Sequence, residues 1–321
     1  MTNIVFIHMG ESWYLDTVLN VAKNFNPNAN VILLGDLSNR QDSMDTTEVL
    51  KWNQSFLKNR DKTKTLWAHH TSFGHWEYPD KYYDIITNYK HIGTEAGKRM
   101  WWKHQFCFSR WYLLHDLMEL MGDVWYFDSD TLICRKLSEV QDWYDKNAWI
   151  INRISGCATY FKTNELLKKL CEMIYDLRHD ETYMNTKKQA LELLATKGKN
   201  WNFCDMSIIA EWSKTYIVGD LATIIHDSVF DPNINCSKAD QWPNCPYEFE
   251  MMDCKNRPIK KIYFLRHRND GQNYPYFKLL KKDDGMEVFS NMVRANTLNM
   301  SWFDNRKNYF WEMISNLRGD K

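Results

Sequence analysis

The chain has 321 residues, 44% of them hydrophobic and 26% charged, with 41 Lys plus Arg against 41 Asp plus Glu. That is globular composition with enough length for one large core, and the zero net charge argues against nucleic acid as the main partner. No window approaches the ~18 apolar residues of a membrane span and MTNIVFIHMGES carries no signal-peptide pattern, so the expectation is a cytoplasmic protein without a transmembrane segment.

Ile4 to Ile7 is a buried-strand candidate, followed by a loop over His8 to Ser12. Leu15, Val18, Leu19 and Ala22 mark a helix ending near Asn26-Pro27, and Val31 to Leu34 is a strand closed by Gly35-Asp36. Strand, helix, strand with short loops predicts a βαβ unit and a parallel pair. Residues 37 to 97 are polar, with an aromatic and His-rich stretch that includes His69 and His70; a loop lining or covering a cleft is expected there. Lys98, Arg99 and Lys103 follow, either as a solvated helix face or as a cluster facing phosphate.

Cys107, Trp111, Leu114, Met118 and Met121 recur at helical spacing, which predicts a largely buried helix over 104–121 stopped by Gly122. Arg110 interrupts its apolar run and needs a carboxylate or a bound phosphate as partner. Val124-Trp125-Tyr126-Phe127 then reads as a strand buried on both faces, and it ends in Asp128-Ser129-Asp130. Carboxylates beside a core are costly unless paired or bound to metal, and ligands of open α/β sheets gather at the carboxyl ends of strands. Residues two apart in an extended segment share a side, so Asp128 and Asp130 are expected to face one cation or one polyphosphate.

The run Phe106-Cys107-Phe108-Ser109-Arg110-Trp111-Tyr112-Leu113-Leu114, followed by Val124-Trp125-Tyr126-Phe127-Asp128-Ser129-Asp130-Thr131-Leu132, resembles the nucleotide-sugar glycosyltransferases of the GT-A fold. In those enzymes a helix with an internal Arg precedes a strand ending Asp-x-Asp. The resemblance is clear over roughly residues 98 to 137 and continues more weakly from residue 4 to about 270. It implies an α/β, GT-A-like (Rossmann-like) fold: a mixed, mainly parallel sheet flanked by helices in a single large domain. Residues 1–135 would bind the nucleotide sugar, 136–275 the acceptor, and 276–321 would form a C-terminal hairpin and helix.

Further along, strands are expected at 131–134, 148–151, 156–161 and 262–265, a short helix at 137–144, and helices over 166–177, 182–196 and from Asp205. A long loop over 231–258, a hairpin turn at Asp283-Asp284-Gly285 and an aromatic helix over 302–317 complete the chain. The eight cysteines contain no Cys-x-x-Cys pair and are expected as reduced thiols.

The resemblance assigns roles to particular residues. The loop with His8 and Gly10, and Asp36, would lie against the nucleotide, although Asp36 is also an ordinary turn residue after glycine. Asp130 would bind the cation directly, and Asp128 would reach it or the ribose. His267, followed by Gly271, would be the third metal ligand, with His226 as its rival. Arg110 and Arg266 would meet the diphosphate, and Asn152, Ser155 and Gly156 would border the acceptor. Asp205 would position the acceptor or act as general base; its plainer role is an acid favoured at a helix start. The cofactor would be Mn²⁺ (or Mg²⁺), with the His ligand tilting the choice toward Mn²⁺. The expected activity is transfer of a sugar from a nucleoside-diphosphate sugar donor to a hydroxyl of a glycan or glycoconjugate acceptor. Two alternatives stand beside it. A haloacid-dehalogenase-like phosphohydrolase also ends a strand in Asp-x-Asp, but its Thr position is Leu132 here; a non-catalytic carbohydrate-binding protein would need neither metal nor nucleotide.

Overall fold

The computed structural model describes residues 1–8, 12–34, 101–197, 203–234, 248–254, 258–281, 292–300 and 307–319. The loop expected over 37–97, the turn at 283–285, and the residues Gly10 and Asp36 lie outside them.

The opening βαβ unit forms as the sequence predicts. Strand β1 (Asn3–Ile7), helix α1 (Leu15–Phe25) and strand β2 (Asn30–Leu34) follow one another, and β1 and β2 pair in parallel with Ile4 opposite Val31. Helix α2 (Trp101–Met121) ends where glycine is needed: Gly122 sits at φ +82° and its amide still bonds to Met118 O at 3.0 Å. Strand β3 (Val124–Asp128) pairs with β1 in parallel. After a two-residue turn the chain enters β4 (Thr131–Ile133), which joins a different sheet. Residues 137–144 form two 3₁₀ turns, Leu137–Glu139 and Gln141–Trp143, in place of the expected short helix.

Strands β5 (Ala148–Ile151) and β6 (Ser155–Phe161) are an antiparallel pair, followed by α3 (Asn164–His179), α4 (Glu181–Thr196) and α5 (Asp205–Thr215). Strand β7 (Gly219–Asp220) completes a first sheet of order β2-β1-β3-β6-β5-β7. In it β6 alone runs against its neighbours β3 and β5.

The remaining strands are β8 (Ser228–Phe230), β9 (Glu248–Phe249), β10 (Met251–Asp253), β11 (Pro258–Lys260), β12 (Ile262–Arg266), β13 (Asn273–Lys281) and β14 (Met292–Asn299), with α6 (Lys307–Arg318) last. They build a second, mostly antiparallel sheet on the path β12-β13-β14-β4, with β8 and β9 attached and β10–β11 as a separate pair. The sequence predicts one mainly parallel sheet; the fold is mixed α/β with two main sheets. The second escapes notice because β14 is half polar, yet Asn296, Thr297 and Asn299 are all buried.

The first sheet is the middle layer. Tyr126 faces α2, its ring edge-on to Trp111 at 6.1 Å. Trp125 and Phe127 point the other way and stack against Phe230 of β8 at 5.3 and 6.2 Å, which seats the second sheet on the first. Period-two alternation thus gives β3 a helical side and a sheet side, and both are closed.

Candidate functional site

Parallel pairing of β1 with β3 sets Ile7 opposite Asp128, so His8 and Ser129 emerge side by side at the carboxyl ends. His8 Nδ1 lies 2.6 Å from Ser129 Oγ. On the helical side, Tyr126 and Asp128 share a face at i, i+2, and Tyr126 donates its hydroxyl to Asp128 Oδ1 at 2.7 Å. Arg110, one helix away, donates to the same oxygen at 2.8 Å.

Arg110 is the centre of this network. Its side chain is 7% exposed, and its other face grips Asp205, with Nε and Nη2 donating to Oδ2 at 3.1 and 2.5 Å. Trp111 Nε1 adds a third donor to that oxygen at 2.9 Å, while Asp205 Oδ1 takes the Met206 amide at 2.9 Å. Burial pulls the guanidinium toward its neutral form, but Asp205, then Tyr126 and Asp128, outweigh this and hold Arg110 well above its ordinary pKa. The partner that Arg110 needs is therefore a pair of carboxylates.

Gly156 makes this possible. A Cβ there would clash with the Arg110 guanidinium and stand 2.6 Å from the Trp111 ring. The small residue expected to border an acceptor is thus the gap through which Arg110 reaches Asp128 and Asp205.

Asp205 is 1% exposed, and three donors occupy its Oδ2. It starts α5, as an acid favoured by the helix dipole, but it presents no oxygen to a substrate hydroxyl as a general base must. It is a positioning carboxylate for Arg110. Asp128 differs: its side chain is 31% exposed, and Oδ2 meets no donor among the described residues. Two carboxylates around one guanidinium leave this cluster a net formal charge of −1.

Asp130 does not lie in extended chain, because β3 stops at Asp128 and Ser129-Asp130 is a turn. The same-side argument from strand periodicity therefore does not apply. Both acids still act electrostatically on one buried thiol. Cys157 follows Gly156 on β6, and its pKa is raised first by burial, then by Asp128 and further by Asp130. The Asp130 carbonyl is fixed by the Met300 amide at 2.8 Å, and Asn299 Nδ2 donates to Thr131 Oγ1 at 3.3 Å, so the second sheet holds the far side of the turn.

Other expected residues are elsewhere. His267 sits in the β12–β13 turn, 43% exposed, with Nδ1 3.5 Å from Asp270 and its ring edge-on to Tyr274. Tyr274 packs on Phe25 at 5.7 Å, the last residue of α1. A helix that crosses between two parallel strands returns to their amino-terminal ends, so this turn lies at the end of the layer away from Asp128. Neither His267 nor the exposed Arg266 contacts Asp128 or Asp130 among the described residues. The resemblance that suggested His267 carries no information about which end of the sheet a late hairpin occupies. His226 does no better. With Asp227 it forms the two-residue tip of the bridge Ile225–Ser228, at φ 47° and 54°, the positive values that a type I′ turn requires.

Asn152, at the β5–β6 turn, is on the correct end of the sheet, since β5 ends parallel to β3. Its amide is held by Asp220 Oδ1 at 2.6 Å, and neither end of its 3%-exposed side chain meets a hydrogen-bond partner among the described residues. Tyr126, Trp111 and Ser129 are the residues that the sequence reading missed. Tyr126 was findable, because i, i+2 on a strand shares the face of Asp128.

Among the described residues no helix is long and apolar enough to cross a membrane. No protein-family model matches the chain, and no curated protein matches it.

Proposed function

We propose that the chain is a metal-dependent glycosyltransferase of GT-A type, moving a sugar from a nucleoside-diphosphate sugar to a hydroxyl of a glycan or glycoconjugate. The observation that carries this reading is the open half of the Arg110 network. A buried Arg and Tyr126 hold Asp128 through one oxygen, while the side chain stays 31% exposed and its other oxygen meets no donor among the described residues, at the carboxyl end of a central strand and two residues before Asp130. The fit to a divalent cation is chemical: a residual negative charge, a carboxylate oxygen that meets no donor among the described residues and a second carboxylate two residues on form a hard oxygen donor set. Without His267 in that set, the preference for Mn²⁺ over Mg²⁺ loses its basis.

A bound cation would supply charge stabilisation to the departing diphosphate. Asp128 and Asp130 would hold it. Arg110 keeps Asp128 in one rotamer and spreads positive potential toward the phosphates from behind it. His8 and Ser129 would edge the nucleotide side. With Asp205 consumed by Arg110, a base for the acceptor hydroxyl, where the reaction needs one, would be another group.

The phosphohydrolase alternative is disfavoured by Leu132, which is fully buried in β4 where that family needs a polar Thr. The test is calorimetric titration of UDP, GDP, CMP and dTDP sugars with and without Mn²⁺ or Mg²⁺, followed by product detection. The reading requires at least one cation-dependent donor. Glycan binding that needs neither cation nor nucleotide would favour a carbohydrate-binding protein instead.

A further inference from the structure

Lys260 ends β11 and sends its side chain into the second sheet. It is 3% exposed, and its partner Asp231 is fully buried. Nζ lies 2.5 Å from Asp231 Oδ1 and donates to the Asn233 carbonyl at 2.8 Å. Asp231 Oδ2 accepts the Asn299 amide at 3.1 Å, and the Asp231 amide donates to Thr297 Oγ1 at 3.0 Å. The backbone repeats the tie: Lys260 N bonds to Ile234 O at 2.8 Å, and Ile234 N to Asn299 O at 3.1 Å. Asn299 and Met300 are the residues that grip Thr131 and Asp130.

A buried ion pair is a poor source of stability, since desolvation consumes most of the attraction and an apolar pair of similar volume often does as well or better. Burial raises the pKa of the Asp231 carboxyl even against the pull of Lys260. What such a pair does supply is direction. Its carboxylate reads the position of one amide on β14, and that amide is one residue from the one that holds the Asp130 carbonyl.

We propose that Lys260 and Asp231 are positioning residues for the Asp128–Asp130 turn: they lock the end of β14, which in turn fixes Asp130 for its cation. The inference rests on the glycosyltransferase reading and names the support of that same site. Removal of groups bonded directly to metal ligands costs metal affinity about 10–100-fold; a pair that acts through Asn299 and Met300 is expected at the low end of that range, and a role in stability alone would leave that affinity intact.

The test is Mn²⁺ titration, read by electron paramagnetic resonance, with UDP and with GDP present. It compares the wild-type chain, the double variant Lys260→Met/Asp231→Leu, and Thr131→Val. The double variant removes both charges together. The near-isosteric Thr131→Val removes one of the two ties from β14 to the turn, the Asn299 side-chain bond, and leaves both the ion pair and the Met300–Asp130 backbone bond in place, so it remains informative if the double variant does not fold. The expected result is about 10-fold weaker Mn²⁺ binding in the double variant and a smaller loss in Thr131→Val, with the melting temperature of Thr131→Val near wild type. Wild-type Mn²⁺ affinity in Thr131→Val and in the folded double variant would overturn the inference while leaving the glycosyltransferase reading in place. Absence of Mn²⁺ binding in the wild-type chain with either nucleotide would overturn that reading, and the inference with it.

Discussion

Arg110 and Lys260 are both buried cations with carboxylate partners, and the two sheets use them in opposite ways. Around Lys260 the network is closed: the cation is 3% exposed, the anion is fully buried, and both Asp231 oxygens are engaged. Around Arg110 one carboxylate, Asp205, is equally sealed, while the other, Asp128, keeps 31% of its side chain exposed. A sealed pair can only fix architecture. A pair with one open oxygen has fixed architecture and still has bonding capacity left over, which is the physical condition for a binding site.

The sharpest way to break this contrast is Arg110→Met. It leaves Asp205 as an uncompensated buried charge, so unfolding in the absence of ligand should show a loss of roughly 3–5 kcal/mol. A loss below about 1 kcal/mol would mean that Asp205 is not sealed and that the two networks are alike. Next in size is Asp130→Ala. Here the expected loss is in chemistry: transfer should fall by about 10²–10³-fold and cation-dependent nucleotide binding should disappear, while the denaturant midpoint stays near wild type. A large drop in that midpoint would make Asp130 a structural acid. Gly156→Ala probes the gap that admits Arg110. Overpacking against a guanidinium and an indole should cost about 1–3 kcal/mol, with weaker donor binding as Arg110 is pushed from Asp128; a neutral melt would show that Arg110 reaches its partners by another route. The smallest effect belongs to His267→Ala. This exposed turn residue should change stability by less than about 0.5 kcal/mol and leave Mn²⁺ affinity unchanged. Loss of metal affinity there would bring the β12–β13 turn back into the site.

How much of this was legible in the sequence depended on whether a signal was local. The opening βαβ unit, the Gly122 stop and the doubly buried β3 follow from short apolar periods and one positive φ, and they form as expected. Arg110 announced the need for a carboxylate or phosphate by its place in an apolar helix, but its two partners come from 18 and 95 residues away, a distance no pattern encodes. The second sheet was illegible for a different reason. Buried Asn296 Nδ2 donates to Ser228 Oγ, Thr297 Oγ1 accepts the Asp231 amide and Asn299 Nδ2 donates to Thr131 Oγ1, all on distant segments, so β14 looks like loop until the partners are known. His267 and Asp205 carry the same lesson. The resemblance suggested roles for both, and the fold places one in the β12–β13 turn and the other in a buried ion pair.

The link between Asn299 and Thr131 spans 168 residues of chain. During synthesis, β1, β2 and β3 can pair long before β14 exists, since all three precede Ser129, whereas β4 must wait with its edge unpaired for a partner made much later. Long-range pairings of this kind are slow because loop closure precedes their reward. The strand that leads out of the Asp128–Asp130 turn is therefore among the last parts of the molecule to be secured, and a nascent chain shorter than about 300 residues should hold the first sheet with that turn still unfastened.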